Sequence, residues 1–315
     1  MTSTDRPEGS GEPSPARPAS ASLQMSRFFV VPAIIVGVCV LCLLVAGGLY
    51  VLLKERQDPA SYIDQVATGS GNRRWQAAYE LSKIIASTQG AVDGATAHRL
   101  VEVYRRAGDD DPKVRRYLVL ALGRIRRPES VEALHSALAD TDSETRIYAI
   151  WGLGAQADRA SAGAIAKALH DEDAGVRKMA AYSLGFLQDP STVPDLREAL
   201  LDAASDVRWN AAVALARMGD AFGSDTLLEM VDRPRLEAMK DPEGRPIMDG
   251  ERIREVMLTG ITALALLREP RGTDVIRELA RSEPDLRVRD AAVKAAAELE
   301  RPPEAAAGAQ GAHGA

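Results

Sequence analysis

Residues 142–156 read DSETRIYAIWGLGAQ, and the frame of that stretch recurs through the middle of the chain. Residues 111–125 read DPKVRRYLVLALGRI, 173–187 read DAGVRKMAAYSLGFL, and 204–218 read ASDVRWNAAVALARM. An arginine therefore returns every 31 residues, at Arg115, Arg146, Arg177 and Arg208, with Leu122, Leu153, Leu184 and Leu215 seven residues after it. A fixed period of this length marks helix pairs stacked in a solenoid, each unit burying its apolar face only against its neighbours.

Within one unit the apolar residues fall on two helical faces. Val114, Leu118, Leu122 and Ile125, and again Val176, Ala180, Leu184 and Leu187, are separated by three, four or seven positions and share one side of a helix. The pairs Leu134/Leu138, Ile165/Leu169, Leu196/Leu200 and Leu227/Val231 mark the other helix at the same period. Asp111 before Pro112 reads as an N-cap with proline at the first helical position, and Asp142, Asp173 and Asp285 hold the same slot. Pro128, Pro190 and Pro270, each six residues past a repeated leucine, end one helix and open the next pair. Degenerate copies extend the series at Arg74/Leu81, Met257/Leu264 and Arg289/Ala296, making seven. The step from Arg208 to Met257 is 49 residues, which places an 18-residue insertion at about 232–250.

The pattern Asp-x-x-Val-Arg, small residues, then Ala-Leu-Gly resembles HEAT repeats, in particular the short HEAT-like repeats of phycobilisome lyases, over roughly residues 59–300. The resemblance implies an all-α, right-handed α-solenoid of about seven helix pairs. It also implies an aspartate–arginine ladder, here Asp111/Arg115, Asp142/Arg146 and Asp173/Arg177, fading where Ala204 takes the aspartate slot. In such stacks the second helix of each pair lines the concave side.

Ahead of the repeats, residues 28–53 carry no charged side chain and are flanked by Arg27, Lys54 and Arg56. About 20 apolar residues suffice to span a bilayer, so a single transmembrane helix is expected there. It would follow a disordered tail over 1–27, rich in Pro, Ser and Gly. Basic residues tie across the segment, and a short tail before a lone anchor favours the bulk of the chain outside. The resulting placement is a bacterial inner membrane with a periplasmic domain. The solenoid is expected over 54–302, and 303–315 is read as a disordered tail.

Composition excludes several functions. Formal charge −6 is unsuited to nucleic acid, which demands clustered Lys and Arg. Both cysteines, Cys39 and Cys42, lie in the apolar segment, which leaves the repeats without a thiol nucleophile or a Cys-based zinc site. Of the four histidines none forms a His-Glu or His-x-x-x-His pair, unlike the iron-binding HEAT hydroxylases; no cofactor, no metal and no enzymatic chemistry are expected.

A binding surface is expected instead. At about 100° per residue, the positions one and five after the arginine lie opposite the buried face. They are Arg116/Leu120, Ile147/Trp151, Lys178/Tyr182, Trp209/Val213 and Leu258/Thr262, a row rich in aromatic and basic residues of the kind that anchors interfaces. Position two, with Tyr117, Tyr148 and Met179, is read as sealing one repeat to the next. Arg235 and Arg245 in the insertion complete the candidate partner-binding set, because solenoid insertions project from one face. The expected function is a membrane-anchored scaffold that grips a protein partner between Ile147 and Arg245. An accessory that handles a chromophore or prosthetic group is the alternative.

Overall fold

The computed structural model describes residues 21–55, 58–108 and 111–301, in two separate units that divide after Asp58. The first unit is one helix, α1 (Ala21–Glu55). Its stretch Pro32–Leu49 has mean hydropathy 2.6 and exposed side chains, and is long and apolar enough to cross a membrane. The helix begins at Ala21, so residues 21–27, read from sequence as part of a disordered tail, are helical. Residues 1–20 and the tail at 303–315 lie outside the described residues.

Among the described residues the second unit is built from seven helix pairs. They are α2 (Pro59–Thr68) with α3 (Asn72–Ser87), α4 (Gly94–Arg106) with α5 (Pro112–Leu122), α6 (Pro128–Ala137) with α7 (Ser143–Ala155), α8 (Ala162–Lys167) with α9 (Ala174–Leu187), and α10 (Val193–Ala199) with α11 (Ser205–Arg217). After α12 (Ser224–Met230) the insertion supplies α13 (Arg233–Ala238) before the partner of α12, α14 (Gly250–Leu267); α15 (Pro270–Ser282) and α16 (Leu286–Leu299) close the series. The second helices α3, α5, α7, α9, α11, α14 and α16 pack consecutively in one layer, with the first helices against them.

The periodic apolar residues form the core between the layers. Val114, Leu118 and Leu122, then Val176, Ala180 and Leu184, are buried, and so are Leu134, Ile165, Leu196 and Leu227 of the first helices. Each large side chain so placed contributes about 1.5–3 kcal/mol. Asp142 and Asp173 cap their helices by accepting from Thr145 N and Val176 N at 2.9 and 3.0 Å, and Asp111 and Asp285 do the same for α5 and α16. A second row of caps at the same period, Asp158, Asp189 and Asp220, opens short 3₁₀ turns before α8, α10 and α12. At Ala204 no side chain caps α11.

The arginine ladder exists, but its rungs differ from those the sequence suggested. Arg115, Arg146 and Arg177 pair with Asp140, Asp171 and Asp202, each 25 residues ahead, while the N-cap aspartates stay occupied with helix amides. Arg146 shows the geometry. Its Nε and Nη2 donate to both carboxylate oxygens of Asp171 at 2.8 and 2.7 Å, and its Nη1 donates to the Asp140 carbonyl at 2.9 Å. One guanidinium thus staples two successive interhelix loops, a task suited to its planar fork of donors. Each rung carboxylate also takes an amide two residues on, as Asp171 takes Asp173 N at 2.9 Å, which holds the loop ready for the arginine. Because Asp202 survives beside Ala204 and serves Arg177, the ladder has the three arginines expected of it. It stops at Arg208, which donates to the carbonyls of Asp202 and Ala203 and forms no ion pair among the described residues.

Glycines set the spacing of the second helices. A Cβ on Gly123 would stand 2.9 Å from the Gly152 Cα, one on Gly154 2.9 Å from the Ser183 Cβ, and one on Gly185 3.0 Å from the Ala214 Cα. These backbones approach more closely than side chains there would allow.

Candidate partner-binding face

Positions one and five come out as neighbouring turns on the second helices, but their environments diverge. Arg116 is committed internally: its Nε and Nη2 meet both oxygens of Asp142 at 2.7 and 2.6 Å, and its Nη1 meets Glu144 at 2.9 Å. The hydrogen bonds from Arg116, above all, hold the Asp142 carboxyl well below the usual carboxylate range. Ile147 is half-buried against the main core, where position two (Tyr117, Tyr148, Met179) also packs, and Leu120 is half-buried. Lys178 reaches Asp206 at 3.4 Å, and Arg252 meets the same carboxylate from α14 at 2.9 Å.

Trp209 departs from the expected surface position: it is only 5% exposed. The regular frame would leave it facing outward. Instead α14 and the insertion fold over it, and Trp209 joins a second core cluster against which Val213, Met239, Met248 and Leu258 pack. Its indole Nε1–H is buried with no hydrogen-bond partner among the described residues. A groove of about 340 Å³ beside it is lined by Lys178, Asp206, Met239, Ile247, Met248 and Arg252.

The insertion is a short helix followed by a tight turn. Gly244 adopts φ +79°, and Asp241 accepts from Arg245 N at 2.8 Å, closing the loop at an antiparallel bridge between Lys240 and Pro246. Arg245 turns back to pair with Asp241 at 2.7 Å and Arg235 pairs with Glu229 at 2.7 Å, so both exposed arginines are already partnered.

Of the predicted row, Tyr182 is the aromatic that stands on the surface, 43% exposed. Its ring meets that of Phe186 edge-on at 4.8 Å, and Phe186 is 51% exposed. The Arg217 guanidinium lies 4.2 Å from the Phe186 ring centre. Trp151, half-buried, carries Arg124 over its ring at 5.0 Å. Phe186, Arg217 and Arg124 were missed in the sequence reading. All three occupy the position nine after the ladder arginine, and following the same row for one more turn would have found them.

One polar constellation invites a catalytic interpretation. Ser161 Oγ lies 2.8 Å from His135 Nε2 and donates to Asp158 Oδ2 at 2.5 Å. The order is wrong for an activated nucleophile, which needs the histidine between serine and carboxylate. Ser161 is moreover fully buried, and its bond to Asp158 completes the cap of the 3₁₀ turn.

A family model for HEAT repeats matches residues 97–166 and 162–240. Comparison with curated proteins gives no match. Among solved structures the chain is similar to the complex of CpcE and CpcF of phycocyanin lyase from a Nostoc species, at 17% identity over 78% of this chain and 88% of that one, with a TM-score of 0.49. It is similar to YibA of Escherichia coli at 16% identity, over 80% and 97% of the two chains, with a TM-score of 0.48. Human deoxyhypusine hydroxylase in complex with glycerol is 17% identical over 80% and 99%, with a TM-score of 0.35. What those proteins bind or catalyse is theirs alone, since fold does not carry function. The two family matches overlap at α8 and together span residues 97–240, the copies whose period is strictest, so that span of the chain is built of HEAT repeats.

Proposed function

We propose that this protein is a membrane-tethered, non-enzymatic HEAT-repeat scaffold that binds a protein partner through the surface of its second helices. The observation that carries the reading is the pair Tyr182 and Phe186. Two large aromatic side chains one turn apart on α9 stand exposed. Adjacent exposed aromatics rimmed by arginine are the composition of an interface anchor. The binding set comprises Arg116, Leu120, Ile147, Trp151, Lys178, Tyr182 and Val213, with Arg235 and Arg245 of the insertion. Trp209 supports that face from beneath. Tethering is supported by α1, with a bacterial inner membrane and a periplasmic solenoid as the proposed setting.

A photo-crosslinking amino acid at Tyr182 of the full chain in native membranes tests the reading. A discrete adduct is expected there and none at Leu201, which is 86% exposed on the loop after α10. Equal labelling at both positions, or none at Tyr182, overturns it. Protease accessibility of sealed cells decides the side of the membrane.

A further inference from the structure

We infer that the rim formed by Arg124, Trp151, Phe186 and Arg217 seats an acidic segment of the partner, an inference that rests on the protein-binding reading above. The four residues come from four successive repeats, at the ends of α5, α7, α9 and α11. The glycine seam lies at this end of the helices, so the backbones sit close enough for an arginine of one repeat to cover the ring of an adjacent one. Arg124 covers Trp151 and Arg217 covers Phe186, at 5.0 and 4.2 Å.

Charge complementarity identifies the occupant. At the other end of the same helices Arg115, Arg116, Arg146 and Arg177 are all spent on carboxylates. Among the described residues Arg124, Arg126 and Arg217 form no ion pair, although the chain holds 45 acidic residues against 39 Lys and Arg. A guanidinium laid on an aromatic face keeps its edge donors free and its plane restrained, so a bidentate carboxylate bond costs little further ordering. Beside Trp151 a groove of about 420 Å³, bordered by Arg124, Arg126 and Gln89, has room for such a side chain. Three cations on an acidic chain are too few for nucleic acid, where about six to ten phosphate contacts are usual.

The geometry also gives the length. Three helix spacings of about 8–10 Å separate the outer arginines, roughly 25 Å. An extended peptide covers that in about eight residues. The expected ligand therefore has carboxylates at both ends and apolar side chains between, the latter resting on Tyr182 and Phe186.

The test uses the full chain in neutral phosphatidylcholine nanodiscs. The probes are a fluorescein-labelled peptide with paired glutamates flanking a Leu-Ala core, its lysine counterpart, and phosphatidylglycerol vesicles. The glutamate peptide is expected to bind, with affinity reduced about tenfold or more in R124A/R217A and unchanged in R271A/R277A. The charge-reversed R124E/R217E should gain the lysine peptide, a result that unfolding cannot produce. Equal binding of both peptides by the unaltered chain, indifference to R124A/R217A, or binding of the vesicles instead of the peptide overturns the inference. If the glutamate peptide fails while the Tyr182 adduct persists, the acidic segment falls and the protein-binding reading stands; if both fail, both fall.

Discussion

Arg233 forms an ion pair with Glu283 at 2.5 Å, although the 31-residue period would place at 233 the aspartate that Arg208 lacks. Glu283 is the last rung in every other respect. It lies six residues before Arg289, which donates to its carbonyl at 2.6 Å, and its carboxylate takes Asp285 N at 3.1 Å. The ladder residue due to serve it is Met257, which cannot. Arg233, at the start of the insertion, substitutes for that missing arginine and ties the insertion to the final pair.

Arg233→Met is therefore expected to destabilise the C-terminal repeats by about 3 kcal/mol, because the Glu283 side chain, 3% exposed, would be left as an unpaired buried charge. Hydrogen exchange should show the loss in α14–α16 while α5–α9 keep their protection, since repeats couple mainly to their neighbours. Uniform loss along the solenoid would contradict the assignment.

The Arg146–Asp171 rung should behave as one unit. Removing either side chain, as in Arg146→Met or Asp171→Leu, is expected to cost about 2–4 kcal/mol, and the double variant less than the sum of the two. Denaturant unfolding of the four proteins gives the coupling. Strict additivity would mean that the rung contributes nothing as a pair.

Glycine at the seam and glycine elsewhere should respond in opposite directions. Gly163 has nothing within 4 Å of an added Cβ, so Gly163→Ala should stabilise α8 by about 0.5–1 kcal/mol. Gly123→Ala drives a methyl into the Gly152 backbone and against the Trp151 ring, and should destabilise by about 1–3 kcal/mol. Thermal midpoints of the two variants provide the comparison.

Acid should loosen the ladder. Asp142 and Asp202 titrate below the ordinary range because Arg116 and Arg177 bond their ionised forms. Burial pushes Asp171 up, and its bonds from Arg146 and the Asp173 amide outweigh that. A depressed folded-state value gives stability that is complete above the unfolded value of about 4 and is lost as pH falls through the folded value. Stability should therefore be flat from about pH 5 to 8 and decline below about pH 4, with a shallower decline in Arg116→Ala. A maximum of stability below pH 4 would refute the linkage.

Trp209→Phe removes a buried donor that has no partner among the described residues, along with part of the ring. The relief of about 1–3 kcal/mol offsets much of the packing loss, so the net change should stay within about 1 kcal/mol. Trp209→Ala, which opens a cavity, should cost about 3–5 kcal/mol. A Phe variant as damaged as the Ala variant would show that the indole nitrogen has a partner.

Periodicity made the solenoid legible because each repeat solves the same local problem. Val114, Leu118 and Leu122 must face the core wherever the copy sits, and Asp142 must cap the helix it precedes, so identical residues recur at identical spacing. Partner choice across repeats is another matter. Asp140, Asp171 and Asp202 also recur every 31 residues, yet nothing in their spacing says that Arg115 reaches forward to Asp140 when Asp111 is nearer in sequence. That is settled by where consecutive loops stack. The surface row was legible in direction and not in extent: Tyr182 came out exposed, while Trp209 vanished beneath the insertion.

The sequence by itself determined the helix pairs, their number, the caps at Asp111, Asp142, Asp173 and Asp285 and the apolar layer between the helices, because those follow from contacts within a repeat or between identical neighbours. Only the tertiary structure decided which charges are spent and which remain. Arg116 and Arg146 are consumed by carboxylates brought from the following repeat, and Arg233 by one 50 residues away, whereas Arg124 and Arg217 come to rest on aromatic faces and form no ion pair among the described residues. Pairing between long flexible side chains depends on distances set by packing, and the chain order of the residues does not contain them.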